Sequence, residues 1–203
     1  MPSKKRKRNR ANRRSRGSQN HGALQKYMPM MIGGVSILLI ALVGYAVVQA
    51  VNSTGSGSNF EFDVYQGNNT LGGDKVSLND VLALNKPIVL NFWAGDCPPC
   101  RAEMPAFQRV HEENGGDVLF LGLDVGIFTG LGNEASARRL LDELRISYPI
   151  GAPPDRSAVL SYAVRSMPTT VFFDASGKIV DRVDGAMSEF RLATIVDELL
   201  EVS

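Results

Sequence analysis

Two cysteines, Cys97 and Cys100, are the only cysteines in this chain of 203 residues, and two prolines separate them. Pro98 and Pro99 suit the first turn of a helix, where a missing backbone N–H costs little. A cysteine at a helix N-terminus faces free N–H groups and the positive end of the helix dipole, and both favour its thiolate. Because the thiolate is the attacking species in disulfide exchange, this segment predicts a redox-active pair.

Two other interpretations of the cysteines are weaker. A disulfide that closes so short a loop would constrain the unfolded chain little, so a purely structural staple is a poor explanation. A zinc site would need further ligands, and the only histidines are His21 and His111. We therefore expect no metal ion and no cofactor.

A proline at position 168 is the second feature that suggests chemistry. Met167, Pro168 and Thr169 stand directly before an apolar run that is typical of a strand. An X-Pro bond at such a place can be cis, and it then offers a backbone edge to an extended substrate. A plain proline at the start of a strand is the alternative.

The segments around these residues predict the fold. The β-branched and aromatic residues of 87–93 predict a buried strand just before the cysteines, and a helix is predicted over 98–113. Strand–helix–strand connections imply parallel pairing in the middle of a sheet, and a hairpin at 170–184 supplies antiparallel strands. The sequence therefore predicts an α/β fold with a mixed central sheet flanked by helices. Further strands are predicted over 60–65, 76–78, 118–124 and 148–151, further helices over 80–84, 134–145, 156–162 and 189–201, and an irregular loop over 126–132.

The charges are distributed very unevenly along the chain. Residues 1–27 hold ten lysines and arginines and no acid, whereas the rest holds twelve basic and twenty-one acidic residues. Positions 28–48 are predominantly apolar and uncharged, long enough for a transmembrane helix. We predict a basic cytoplasmic tail at 1–27, an anchor at 28–51, a Gly/Ser linker at 52–59 and a domain at 60–203.

The positive-inside rule places the N-terminus of such a chain in the cytoplasm and the domain outside. The basic tail is then expected to bind anionic lipid rather than nucleic acid. A cleaved signal peptide is the alternative to the anchor. The apolar run is longer than a signal core, and Val48, Gln49 and Ala50 form a poor cleavage site.

The motifs together resemble one family, the membrane-anchored TlpA/ResA-type thioredoxin-like proteins of the redoxin and AhpC/TSA superfamily. The resemblance covers about residues 60–201 and implies a thioredoxin fold. It rests on Phe92-Trp93, Cys97-Pro98-Pro99-Cys100, Glu103, Pro105, Met167-Pro168-Thr169-Thr170 and Gly177-Lys178-Ile179.

The resemblance also implies a role for each site residue. Cys97 corresponds to the exposed nucleophile, Cys100 to the buried resolving thiol and Pro168 to the cis-proline. In ResA-like members a glutamate three residues beyond the second cysteine assists proton transfer, and it corresponds to Glu103. That position is within reach of the Cys100 thiol on a helix, although an ordinary carboxylate on the helix surface is the alternative.

Two positions depart from the pattern of the family. Asn91 stands where thioredoxin carries an acidic residue, which makes Glu103 the better candidate for the proton acceptor. Asp96 stands where the family commonly has tryptophan, and a carboxylate beside Cys97 disfavours its thiolate. Arg101 is expected to offset that charge. The candidates for a substrate groove are Trp93, Asp96, Pro98, Pro99, Met167 and Thr169.

These features predict an enzyme, an extracytoplasmic thiol–disulfide oxidoreductase that reduces disulfides of specific proteins. Family analogues imply apocytochrome c or other metallocentre-assembly proteins as substrates. Because the compartment is oxidising, an electron donor across the membrane is also expected. The alternatives are a peroxidase-like redoxin, in which Cys97 attacks peroxide, and a non-catalytic, membrane-tethered binding module that uses the groove at Pro168.

Overall fold

The computed structural model describes residues 58–201, together with the pair 42–43. The predicted basic tail lies outside the described residues. So do the predicted anchor, apart from that pair, and positions 52–57 of the linker. Within the part of the chain that is described, no helix combines the length and the apolar character needed to cross a bilayer.

Seven strands of the described domain form one mixed sheet in the order β2-β1-β5-β4-β3-β6-β7. The central strands β3, β4 and β5 run parallel, and antiparallel strands extend the sheet on both sides. The strands are β1 Glu61–Gln66, β2 Lys75–Ser77, β3 Ile88–Trp93, β4 Leu119–Asp124, β5 Ile150–Ala152, β6 Thr169–Phe173 and β7 Ile179–Asp184. The mixed sheet with a late hairpin is therefore confirmed.

Helices cover both faces of this sheet. Within the described domain they are α1 Asn68–Leu71, α2 Leu78–Leu82, α3 Pro98–Asn114, α4 Gly126–Thr129, α5 Glu134–Leu144, α6 Ser157–Ser161 and α7 Glu189–Glu201. Side chains of α3, α5 and α7 share one apolar core, and side chains of α1, α2 and α6 share the other. This arrangement is the predicted thioredoxin-like α/β fold.

Strand β3 shows how the two cores are separated. Successive side chains of a strand point to opposite faces, so Val89 and Trp93 enter the core beneath α3. Ile88, Leu90 and Phe92 enter the core on the other face. Asn91 shares the parity of Val89 and Trp93, and this places a polar amide beneath α3.

Some boundaries differ from the prediction for local reasons. The segment predicted as an irregular loop begins with α4, where the Thr129 hydroxyl donates to the carbonyl oxygens of Val125 and Gly126. The cap of α2 is Ser77, not Asn79 or Asp80, because Ser77 forms a reciprocal capping box with Asp80. The predicted caps Asn133 and Ser188 do accept backbone N–H groups of α5 and α7.

The turn between β3 and α3 fits tightly against α5. A Cβ atom on Gly95 would lie 2.5 Å from the backbone N of Ala137 and 2.6 Å from the carbonyl carbon of Ser136. Backbone atoms of a capped helix cannot move aside easily. Gly95 therefore allows the segment that carries the cysteines to approach the first turn of α5.

We expect Gly95→Ala to lower the Tm by about 5 °C or more, because overpacking of this kind typically destabilises by roughly 1–3 kcal/mol. Thermal unfolding followed by circular dichroism measures the change. Gly116→Ala is the matched control, since a Cβ atom there would meet nothing within 4 Å. Equal Tm values for the two variants would contradict the close approach.

Candidate active site

The two cysteines form a disulfide at the N-terminus of α3. Cys97 is the cap residue with extended backbone, Cys100 lies in the first turn, and their Cα atoms are 5.3 Å apart. The prolines at the first two helical positions have no N–H to donate, and the backbone N–H of Cys100 donates to Cys97 Sγ at 3.2 Å. A donor therefore points at the sulfur that would carry the thiolate.

The accessibility of Cys97 differs from the expectation. The resemblance predicts an exposed Cys97, but this residue is only 2% exposed, and Cys100 is fully buried as predicted. The expectation is therefore wrong for this disulfide form, although Cys97 does line a cavity of about 460 Å³ together with residues from distant parts of the chain. The cavity is lined by Cys97, Pro98, Pro99, Thr129, Leu131, Val164, Arg165, Ser166 and Met167.

Three of the groove candidates do line this cavity. Pro98 and Pro99 are exposed beside Cys97, and the half-buried Met167 approaches from the opposite segment. The Met167–Pro168 peptide bond is cis, and Pro168 is buried, with its carbonyl oxygen accepting from the N–H of Gly185. The predicted cis-proline segment and the disulfide therefore meet at one cavity.

Trp93 and Thr169 are corrections to the predicted groove. Both side chains are fully buried, and neither lines the cavity. Trp93 ends β3 on the face covered by α3 and belongs to the core there. The Thr169 hydroxyl donates to the carbonyl oxygen of Ser166 and to Asp184 Oδ1, which ties the start of β6 to β7.

The charges near Cys97 also differ from the expectation. Arg101 pairs with Glu143 of α5 through two N–H groups, so it does not offset Asp96 as predicted. Asp96, another predicted groove residue, does not line the cavity. Its side chain is exposed, and its backbone N–H donates to the carbonyl oxygen of Leu131 at 2.8 Å. Among the residues that line the cavity, Arg165 is the charged one, and no sequence pattern predicted its position there.

Glu103 is buried rather than on the helix surface. It is 2% exposed and lies one turn beyond Cys100 on α3. Asn91 Nδ2 donates to Glu103 Oε1 at 2.8 Å, and the backbone N–H of Met187 donates to Oε2 at 3.1 Å. The alternative of a surface carboxylate is therefore wrong.

Burial raises the pKa of Glu103 to about 7, although the hydrogen bonds from Asn91 and Met187 act in the opposite direction. A carboxyl group with a pKa close to the ambient pH can both accept and release a proton efficiently. The pKa of the nearby Tyr148 is raised by its burial and, to a smaller extent, by the charge of Glu103. Tyr148 therefore stays neutral while Glu103 titrates.

Sequence reasoning missed the part that Asn91 plays. From the sequence, Asn91 is only a position that lacks an acidic residue, whereas in the structure its amide donates a hydrogen bond to Glu103. The alternation of β3 carries the signal that could have found it, because Asn91 occupies the face that α3 covers.

The mixed sheet and the disulfide at the start of α3 define a thioredoxin-fold thiol–disulfide oxidoreductase. The chain belongs to the AhpC/TSA family, whose model matches residues 58–182.

Named relatives agree with this class. The chain is 27% identical to the thiol-disulfide oxidoreductase ResA of Oceanobacillus iheyensis over 175 residues, which cover 81% of this chain and 85% of that protein. It is 32% identical to the thioredoxin-like protein YneN of Bacillus subtilis over 169 residues, covering 79% and 94%. The crystal structure of an exposed lipoprotein thioredoxin from Streptococcus pneumoniae is similar, with a TM-score of 0.54, 27% identity and coverage of 70% and 99%.

The raised pKa of Glu103 predicts a specific pH dependence of stability. Its ordinary value is 4.5 and its folded value about 7, so the folded state holds the proton more tightly. The free energy of unfolding therefore falls as the pH rises from about 4.5 to about 7, by about 3 kcal/mol from this group. Urea unfolding of the oxidised protein at pH 5 and pH 8 measures the fall.

In Glu103→Gln we expect the difference between the two pH values to shrink by that contribution. Glu113→Gln is the control, since it removes an exposed carboxylate from the same helix. If Glu103→Gln and Glu113→Gln keep the same pH dependence, the buried carboxyl does not titrate as described.

Proposed function

We propose that this protein reduces disulfides in other proteins, with Cys97 as the nucleophile and Cys100 as the resolving thiol. The observation that supports this assignment is the asymmetry of the pair. Cys97 lines the cavity, whereas Cys100 does not line it and is fully buried. A substrate disulfide that enters the cavity can therefore meet only the first sulfur.

The reaction then has two exchange steps. The Cys97 thiolate attacks one sulfur of the substrate disulfide, so a mixed disulfide forms and the other substrate sulfur leaves as a thiolate. The Cys100 thiolate next attacks Cys97 Sγ, which releases the second substrate thiol and leaves the Cys97–Cys100 disulfide. Two electrons pass to the substrate in each cycle. A separate dithiol donor must then supply two electrons to reduce the Cys97–Cys100 disulfide again.

Glu103 is the proposed general base of the second step. It lies three residues beyond Cys100, and both side chains are buried under the same helix. With a pKa of about 7, its carboxylate can take the proton of the Cys100 thiol at neutral pH. The proton can later return to a thiol when the disulfide is reduced again.

The cavity favours a polypeptide over a peroxide as the substrate. It measures about 460 Å³ and is lined mainly by apolar side chains, among them Pro98, Pro99, Val164 and Met167. Hydrogen peroxide is not much larger than water, whose share of liquid volume is about 30 Å³. A cavity of this size instead suits the side chains that flank a cystine.

Proteins of cytochrome c assembly, or similar ones, are the proposed substrates, supported by the similarity to ResA.

The proposal also includes the domain organisation. A basic tail at 1–27 contacts anionic lipid in the cytoplasm, 28–51 anchors the chain, 52–59 is a linker, and the domain at 60–203 works outside. The charge asymmetry of the sequence supports this orientation. The similarity to an exposed lipoprotein thioredoxin agrees with it. A membrane protein that carries electrons outward is then the required donor.

Cysteine variants test the roles of the two sulfurs. Cys100→Ser should accumulate a covalent complex with a cystine-containing substrate such as insulin, because the mixed disulfide cannot be resolved. Cys97→Ser should trap none. Glu103→Gln should form the mixed disulfide at the wild-type rate but resolve it roughly 10²-fold more slowly. Acid-quenched samples on non-reducing gels measure both steps.

If both cysteine variants trap the substrate equally, the assignment of Cys97 as the nucleophile and Cys100 as the resolving thiol is wrong. Wild-type resolution by Glu103→Gln would remove Glu103 from the mechanism. A protein that consumes hydrogen peroxide but does not reduce insulin would be a peroxidase-like redoxin, and one that does neither would be a binding module.

A reporter fused after Ser203 tests the topology. An alkaline phosphatase reporter should be active, and it should sediment with the membranes, because the ten positive charges of 1–27 remain inside. Recovery of a soluble form that begins near Val51 would show instead that the apolar segment is a cleaved signal.

A further inference from the structure

Asn91 lies at the middle of β3, between Gly122 of β4 and Thr170 of β6 in the register of the sheet. It is only 1% exposed, and its strand neighbours on the same face, Val89 and Trp93, belong to the apolar core beneath α3. A buried amide in such a place is unfavourable unless hydrogen bonds compensate for its lost hydration.

The side-chain amide of Asn91 uses its NH₂ donors in hydrogen bonds but not its oxygen acceptor. Nδ2 donates to Glu103 Oε1 at 2.8 Å and to Thr170 Oγ1 at 3.0 Å. Its Oδ1 is buried and has no hydrogen-bond partner among the residues that the structure describes. An ionised carboxylate can only accept hydrogen bonds, so the amide must present Nδ2 to Glu103 in that state.

Each of the two carboxyl oxygens of Glu103 accepts one hydrogen bond. Oε1 is held by Asn91 from the sheet, and Oε2 by the backbone N–H of Met187 in the loop before α7. The Met187 donor belongs to the backbone. Among the described residues, the hydrogen bond that a side chain donates to this carboxyl comes from Asn91.

We propose that Asn91 is the positioning residue of Glu103, and that its amide holds the carboxylate one helical turn beyond Cys100 and favours the ionised form. The inference rests on the proposed function only where it concerns catalysis. Without this donor, burial would act on Glu103 with one hydrogen bond fewer to oppose it. The carboxyl would then be protonated at neutral pH, and it could not accept the proton of the Cys100 thiol.

The other groups that face this carboxyl do not replace Asn91. Tyr148 approaches from the segment before β5, and its pKa is raised, so it stays neutral. Thr170 from β6 and the backbone of Met187 carry no charge. Cys100 on the same helix does not titrate while the disulfide is intact. The oxidised protein therefore reports on Glu103 without interference from the thiols.

The pKa of Glu103 can be measured directly in the full chain in detergent micelles. Carbon NMR of protein labelled at the glutamate side-chain carboxyl gives each titration curve, and Glu103→Gln identifies the signal that is lost. In Asn91→Leu, which removes the donor at similar volume, we expect the Glu103 pKa to rise by about one unit or more.

Thr170→Val is the matched control. It removes the other acceptor of the same amide and leaves the hydrogen bond to Glu103 possible, so the pKa should move by less than about half a unit. An unchanged Glu103 pKa in Asn91→Leu, or equal shifts in the two variants, would overturn the inference.

The wild-type protein offers a test that does not depend on the folding of a variant. The side-chain NH₂ signals of Asn91 should titrate with the same midpoint as the Glu103 carboxyl, because one of these hydrogens contacts Oε1. Asn91 signals that stay constant through the titration of Glu103 would contradict the inference.

The rate at which the mixed disulfide is resolved distinguishes the positioning role of Asn91 from the proposed catalytic role of Glu103. In Asn91→Leu the pH of half-maximal resolution should rise by the same amount as the Glu103 pKa, with a loss in rate of about fivefold or more at pH 7. If Glu103→Gln resolves normally, the proposed general base fails, while the NMR titration still decides the role of Asn91. A shifted pKa with an unshifted rate profile would limit Asn91 to a structural role.

Discussion

The burial of one carboxyl group is the constraint on which the rest of this site depends. Glu103 lies between α3, β3 and the loop before α7, and a hydrogen bond reaches it from each of the last two. A buried charge is tolerated only when its oxygens are satisfied, so these three parts of the chain must keep their relative positions. The start of α3, with both cysteines, is thereby fixed against the sheet.

Other contacts of α3 contribute less to this geometry. Arg101 pairs with Glu143 of α5 and Arg109 pairs with Glu189 of α7, but all four side chains are largely exposed. Exposed ion pairs contribute little to stability, because water and salt screen the charges. The close approach at Gly95 and the buried hydrogen bonds of Glu103 therefore position the helix more strongly than its surface charges do.

Local sequence signals were enough to predict the framework of the fold. The apolar run of β3, the prolines after Cys97 and the caps Asn133 and Ser188 each act within a few residues, and the structure confirms them. The predictions that were wrong concern contacts between segments that are distant in the sequence. Cys97 shares its cavity with residues around 129–131 and 164–167, and the partner of Arg101 lies 42 residues away in the sequence. The local sequence of one segment does not determine which distant segments will pack against it.

The tandem prolines have a consequence for how the reactivity of Cys97 can change. They leave the N–H of Cys100 as the donor aimed at Cys97 Sγ, and that donor belongs to the main chain. A substitution of any side chain leaves this dipole in place as long as the helix begins at the same residue. Only the contribution of this backbone donor to the acidity of the thiol is independent of side-chain changes, whereas substitutions at neighbours such as Asp96 can still alter that acidity.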